Sequence, residues 1–190
     1  MLDRLHYDSP LGGITLVADR DSLLGLWFDW ERYLDDALRT LGSTRSVTEG
    51  ESKPLDLASQ WMDDYFDGKR PDSSMVPLRF DGTPFRRKVW SLLRDVPYGE
   101  TVTYGELAHR LEAMNGDGRR VSARAVGGAV GHNPISIIVP CHRVVGSDGS
   151  LTGYAGGLDT KVALLELERN GGDACRQKLD KADPTSRTRF

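Results

Sequence analysis

Hydrophobic positions divide the chain into two differently patterned halves. Between residues 4 and 30, three apolar groups stand out: Leu5/Tyr7, Ile14/Leu16/Val17 and Leu23/Leu24/Leu26/Trp27/Phe28. The turn-forming runs Ser9-Pro10-Leu11-Gly12-Gly13 and Asp19-Arg20-Asp21-Ser22 separate them. This pattern predicts an antiparallel meander with strands near residues 3–8, 13–18 and 23–29. Tyr33, Leu34, Ala37, Leu38 and Leu41 then share one face of a short helix over 31–41. Residues 42–53 are polar and predict a loop. Leu55, Ala58, Trp61, Met62, Tyr65 and Phe66 repeat at helical spacing, and Gly68 is placed to end that helix. Leu78 and Phe80 predict a strand leading out.

The second half reads as helices around one apolar run. Thr83-Pro84 supplies a hydroxyl cap and a first-turn proline to a helix whose inward face holds Phe85, Val89, Trp90, Leu92 and Leu93. Pro97-Tyr98-Gly99 ends it. Thr103 caps a helix from Tyr104 to about Leu111, and the polar run from Met114 to Arg120 predicts a loop. Ser122 caps a third helix reaching about Gly131. That helix is nearly bare, with Ala123, Ala125, Gly127, Gly128, Ala129 and Gly131, although each helical glycine costs about 1 kcal/mol against alanine. Small residues allow close approach to another backbone. That backbone is either the domain's own or, for the second helix of a helix-turn-helix, the wall of a DNA groove. The β-branched run Ile135 to Val139 reads as a buried strand stopped by Pro140, which delivers Cys141 to a loop punctuated by five glycines between Gly146 and Gly157. A last helix is predicted from about Asp159 to Asn170. Residues 173–190 carry no periodic core and are expected to be a disordered tail.

Composition narrows the class. A chain of 190 residues with 38% hydrophobic and 28% charged residues fits a soluble globular protein of one or two domains. No apolar run approaches the ~18 residues of a membrane span, and Met1-Leu2-Asp3-Arg4 begins no signal-peptide core. Cys141 and Cys175 are too few for a disulfide scaffold or a cysteine-rich zinc site, so a reducing cytoplasm is the expected setting and no metal is expected. His6 reads as a strand residue and Asp63-Asp64 as a solvated helix edge. The net charge is −3, unevenly spread: residues 1–81 carry 16 Asp/Glu against 9 Lys/Arg, whereas residues 84–143 carry 9 Lys/Arg against 5 Asp/Glu. The basic stretch is either a phosphate-facing surface or ordinary charge scatter.

Pro140-Cys141-His142-Arg143-Val144-Val145 resembles the active-site motif of the O6-alkylguanine-DNA alkyltransferases. The likeness continues through Leu151-Thr152-Gly153-Tyr154-Ala155-Gly156-Gly157-Leu158. Upstream it includes Tyr98-Gly99-Glu100-Thr101, Thr103-Tyr104-Gly105-Glu106-Leu107-Ala108, Ala123-Arg124-Ala125-Val126-Gly127 and Asn133-Pro134. It covers roughly residues 80 to 170; the N-terminal part resembles the family only loosely. Pattern and resemblance together predict an α/β (α+β) protein of two lobes. Residues 1–78 form a mixed sheet-plus-helix scaffold, and residues 79–172 form a mainly helical, winged-helix-like lobe with a helix-turn-helix, the active site and the DNA-binding surface.

The resemblance implies direct reversal of DNA damage. The alkyl group of O6-alkylguanine in double-stranded DNA would pass irreversibly to Cys141, once per molecule, with the base flipped out and without a cofactor. A monomer is expected; O4-alkylthymine as a second substrate and cooperativity on DNA stay open. A thiol needs activation to attack, and side chains of adjacent residues on an extended strand point to opposite faces. A turn or one bridging water would be needed between Cys141 and His142; the resemblance implies the water-bridged version, with Glu168 orienting the imidazole and Glu166, on a different helix face, the lesser candidate. Asn133 would brace the Cys141 segment. Tyr104 would donate to guanine N3 and crowd the adjacent phosphate. The Ala155 N–H would face O6, the Cys141 and Val144 carbonyls would accept from the guanine amino group, Tyr154 would wall the pocket beside the alkyl group, and Pro140 would also belong to the substrate site. Arg124 would fill the gap left by the flipped base, with Ala123, Ala125 and Gly127 lying in the minor groove. Arg119 and Arg120 precede that helix in a loop longer than the family pattern leads us to expect; they either add phosphate contacts or sit on a solvated surface. Three rival readings of Cys141 are a buried structural cysteine, a cysteine hydrolase, and a lesion-binding protein without transfer.

Overall fold

The computed structural model describes residues 1–43 and 45–171. The tail expectation and Cys175 lie outside the described residues. The N-terminal meander is present as β1 (Leu2–Ser9), β2 (Gly12–Ala18) and β3 (Leu23–Phe28), paired antiparallel in sequence order. The expected loop over 42–53 is corrected at its centre. Val47–Glu49 forms β4, which pairs parallel with β1 through Leu2↔Val47, Asp3↔Thr48 and Arg4↔Glu49, giving the order β3-β2-β1-β4. A three-residue edge strand with one part-buried side chain carries too little apolar signal to be seen in the sequence.

Both faces of the sheet are covered. Val17, Leu24 and Trp27 pack with Leu34 of α1 (Leu34–Gly42) on one side. Ile14, Leu16, Leu26 and Phe28 face α2 (Lys53–Phe66), through Ala58, Met62 and Tyr65, and continue into the C-terminal lobe as one core. α1 begins three residues later than the pattern predicts. The Glu31 N–H donates to the Phe28 carbonyl at 2.8 Å and its carboxylate accepts the Phe28 N–H at 3.1 Å, closing a turn where the helix was expected to start.

The C-terminal lobe holds α3 (Pro84–Arg94), α4 (Tyr104–Asn115), α5 (Ala123–Val130) and α6 (Leu158–Asn170). The predicted caps form. Thr83 accepts from Arg86 N, Ser122 accepts from Ala125 N, and Thr103 and Glu106 make a reciprocal capping box. α4 runs past the expected Leu111 and ends at Gly116, whose φ of 65° suits a residue without Cβ. The two-residue strands β5 (Val102–Thr103) and β6 (Val144–Val145) pair in parallel and tie the start of α4 to the segment after Cys141. Trp90 of α3 donates from Nε1 to the Ala129 carbonyl at 2.9 Å and fixes α5 from below.

The buried strand expected over Ile135–Val139 does not form. Ile135 makes a single parallel bridge to Leu26, with Leu26 N donating to Pro134 O at 2.9 Å and Ser136 N to Leu26 O at 2.8 Å. The chain then coils: Ile138 N donates to Ser136 O at 2.8 Å and Val139 N to Ile135 O at 3.1 Å. Ile137 sits at φ 68°, a strained conformation for a β-branched residue that costs on the order of 1–3 kcal/mol. All five side chains of the run are buried, so its apolar pattern reports burial correctly and conformation wrongly. Because Leu26 lies at the junction between the sheet and this turn, Leu26→Ala should lower the unfolding free energy by about 3 kcal/mol in urea denaturation.

Candidate active site

Asn133 organises the active-site turn. Its Nδ2 donates to Val139 O at 2.8 Å, to Ile135 O at 3.2 Å and to Cys141 Sγ at 3.0 Å, and its Oδ1 accepts from Ile135 N at 3.1 Å. One buried amide thus takes the part that a strand ladder would have played and also touches the sulfur. The chain enters a 3-10 turn, Cys141–Arg143, rather than the extended segment expected there. Pro140 opens this turn, and its carbonyl accepts from Arg143 N at 3.0 Å. His142 is fully buried and Cys141 is 6% exposed, at the wall of a cleft of about 250 Å³.

Behind the cysteine lies a charged network with almost no solvent contact. His142 Nε2 meets Glu168 Oε1 at 2.8 Å. Arg143 donates from Nη2 to the same oxygen at 2.9 Å and from Nε to Oε2 at 2.9 Å, while its Nη1 donates to Val96 O at 2.6 Å. The Tyr65 hydroxyl donates to Oε1 at 2.8 Å and the Gly99 N–H to Oε2 at 2.9 Å. Burial works to raise the Glu168 pKa, but hydrogen bonds from His142 and Arg143 and the Arg143 charge outweigh it and hold the carboxyl well below the usual carboxylate range. Burial lowers the His142 pKa despite Glu168, so the imidazole is neutral. An ionised carboxylate can only accept, which puts the single ring proton on Nε2. Nδ1, buried and without a hydrogen-bond partner among the described residues, then carries a free lone pair. Glu166 is exposed, two residues from Glu168 on the same helix.

The thiol is held protonated at rest. Burial pushes Cys141 up to about 12, the Asn133 hydrogen bond opposes that rise, the Glu31 charge adds to it, and Lys161 opposes it. Lys161 is fully buried, and its Nζ donates to Val144 O at 2.6 Å and Thr152 O at 2.9 Å. The Val144 carbonyl, expected to face a guanine amino group, is therefore engaged by this ammonium, and Val144 itself is fully buried.

The cleft brings together Tyr104, Gly127, Asn133, Cys141, Tyr154 and Ala155 from the sequence-predicted set. Tyr104 donates from its hydroxyl to Thr152 O at 3.3 Å, linking the start of α4 to the glycine loop. A Cβ on Gly127 would lie 3.6 Å from the Tyr104 ring, an ordinary contact, so close packing within the domain does not require glycine there. Ala123, Arg124, Ala125 and Gly128 are exposed, forming an open, small-residue face on α5 beside the cleft. Arg119 and Arg120 are also exposed on the α4–α5 loop, and Asp117 folds back on Arg119 N at 3.0 Å. Tyr65, Lys161 and Glu31 were not foreseen. Lys161 and Glu168 share the buried face of α6 with Leu164 and Leu165, a spacing that was open to reading; Tyr65 and Glu31 gave no local signal.

A rigid turn thus presents a thiol in a cleft, backed by a neutral imidazole, an orienting carboxylate and a helix-turn-helix: the constellation of a cysteine group-acceptor enzyme that works on DNA. Comparison with known proteins agrees. Residues 5–80 match the 6-O-methylguanine DNA methyltransferase, ribonuclease-like domain, and residues 84–170 match the DNA binding domain of the same family. The chain is 41% identical over 173 residues to the methylated-DNA–protein-cysteine methyltransferase of Mycobacterium bovis, covering 90% of this chain and 96% of the relative. It is 38% identical over 164 residues to that of Haemophilus influenzae, covering 86% and 84%. A crystal structure of Mycobacterium tuberculosis OGT in complex with DNA superposes with a TM-score of 0.74 at 38% identity, covering 94% of this chain and 98% of that one. The chain belongs to the 6-O-methylguanine DNA methyltransferase family, enzymes of DNA alkyl repair.

Two outcomes follow from the electrostatics. Iodoacetamide labelling of Cys141, followed on its own peptide, should be slow at neutral pH and climb about tenfold per pH unit without a plateau below about pH 10. Glu168 has a depressed folded pKa, so its contribution to stability is complete above about pH 4.3, the unfolded value, and is lost as pH falls toward the folded one. Glu168→Gln should cost about 3–5 kcal/mol at pH 7, because Arg143 would be left buried without its counter-charge, and should flatten the acid limb of the stability profile.

Proposed function

We propose that this protein removes the alkyl group from O6-alkylguanine in duplex DNA by transferring it to Cys141, once per molecule. The observation that carries the reading is the line of groups ending at the sulfur: a thiol in a cleft, an imidazole with its free nitrogen turned from the carboxylate, and Glu168 fixing that tautomer. His142 Nδ1 takes the thiol proton through a bridging water. The sulfur attacks the alkyl carbon, the carbon–O6 bond breaks, and guanine leaves as an anion that Tyr104 and the Ala155 N–H stabilise and that is then protonated. The product is a thioether with no easy leaving step, so the protein is consumed. O4-alkylthymine, which presents the same alkyl–oxygen bond, is an open second substrate.

The target carbon is out of reach inside a stacked duplex, so the base is flipped. The open face of α5 supports this. Ala123, Ala125 and Gly127 would approach the groove floor, and Arg124 would occupy the space the base leaves. Residues 1–78 act as the scaffold that holds the active-site turn and residues 79–172 as the acceptor and DNA-binding unit, working as a monomer in the cytoplasm.

Incubation with duplex DNA containing O6-methylguanine, followed by intact and peptide mass analysis, should add one methyl group, in place of the thiol hydrogen, to the Cys141 peptide, with stoichiometric loss of the lesion. An unmodified Cys141 with bound lesion would show a recognition module instead, and repeated turnover would show a hydrolase. Arg124→Ala should slow transfer about tenfold, the equivalent of about 1.4 kcal/mol, while leaving methyl transfer from the free base O6-methylguanine to Cys141 unaltered.

A further inference from the structure

The turn between β3 and α1 forms part of the cleft wall, and one of its side chains is an acid. Glu31 is 5% exposed, and its two carboxylate oxygens accept from the Ser136 hydroxyl at 3.0 and 3.1 Å. Its remaining partner is the Phe28 N–H at 3.1 Å. Unlike Glu168, it pairs with no cation among the described residues. Arg32, on the same wall, is exposed, and its guanidinium lies over the Tyr33 ring at 5.6 Å. The field of Glu31 falls on Cys141 and on Tyr154, two residues that line the cleft.

We infer that Glu31 is a specificity-determining residue that rejects O6 adducts bearing a negative charge in favour of neutral adducts of the same size. The inference rests on the alkyl transfer to Cys141 proposed above. Burial, and the hydrogen bonds from Ser136 and Phe28, hold the carboxyl at the cleft wall, where an anionic adduct would have to approach it. Two like charges less than about 10 Å apart in a medium of effective dielectric ~20 repel strongly enough to cost tenfold or more in rate. Neutral alkyl groups meet no such repulsion.

The charge of Glu31 changes close to neutrality. Burial pushes its carboxyl up to about 7 against the hydrogen bonds from Ser136 and Phe28, which lower it. The other charged or titratable groups around the cleft are Arg32 and Tyr33 from the same turn, Tyr104 from α4, Cys141, Tyr154 and, behind Cys141, Lys161 from α6. A carboxymethyl adduct stays ionised throughout this range, since an ordinary carboxyl titrates near ~4. Rejection therefore deepens as pH rises through the Glu31 titration.

The test compares duplex DNA carrying O6-carboxymethylguanine with its neutral isostere O6-carbamoylmethylguanine, with O6-methylguanine as reference. Transfer is read on the Cys141 peptide. The ratio of neutral to anionic rates cancels the shared pH dependence of Cys141 and His142. In the native protein the ratio should rise about tenfold between about pH 6 and about pH 8. In Glu31→Gln, which keeps an acceptor for Ser136 and Phe28, it should fall about tenfold at about pH 8. A ratio that is flat with pH in the native protein overturns the inference even if the variant fails to fold, and so does a ratio unchanged in a folded variant. Absence of methyl transfer by the native protein would overturn the alkyl-acceptor reading itself.

Discussion

One buried carboxylate ties the molecule together. Glu168 is 2% exposed, yet ionised, because donors from three separate parts of the chain converge on it. Tyr65 comes from the helix that backs the N-terminal sheet, Gly99 from the turn after α3, and His142 and Arg143 from the 3-10 turn at the active site. A buried charge is tolerated only when every lone pair is met, and removal of one partner is costly. The lobes are therefore joined by more than apolar packing. The Tyr65–Glu168 bond, across 103 positions of sequence, ties the sheet-bearing half to the carboxylate that in turn holds the imidazole.

A second set of contacts explains how the active-site turn can hold a strained residue. Ile137 at positive φ would relax in an isolated peptide. Here it is flanked by Asn133, which binds the carbonyls on both sides of it, and by the backbone bridge from Leu26. The strain is over-determined by its surroundings and sets where Cys141 emerges. The asparagine that shapes the turn also donates to the sulfur, so the geometry of the backbone and the state of the thiol depend on one side chain.

Much of this was legible in the sequence, and the exceptions share a cause. The strands of the meander and the helices were readable because their apolar spacing and caps are local. Cys141, His142, Glu168, Asn133, Tyr104, Tyr154 and Ala155 were picked out by motif, and the structure places each at or directly behind the cleft. Ile135–Val139 was misread because five consecutive buried residues do not distinguish a strand from a coiled turn, and the deciding partner, the Asn133 side chain, acts through tertiary geometry. β4 escaped because its pairing with β1 is parallel and rests on main-chain bonds. Glu31 looked like a polar residue in a turn; only the fold shows that Ser136, 105 positions away, covers it.

The resting chemistry of the site follows from burial. A thiol pushed up to about 12 is a poor nucleophile in water, and the neutral imidazole behind it, although able to accept a proton, supplies no positive charge to stabilise a resting thiolate. Such a cysteine is protected from indiscriminate alkylation. In the proposed reaction, stabilising the leaving oxygen would lower the barrier, because proton loss from sulfur and charge development on guanine would occur together. The donors proposed to stabilise the departing guanine, Tyr104 at N3 and the Ala155 N–H at O6, come from α4 and the glycine loop, which the Tyr104–Thr152 hydrogen bond links and the Lys161–Thr152 hydrogen bond braces. On that proposal, selectivity for a damaged base would lie in the energetics of the thiol as well as in the shape of the cleft.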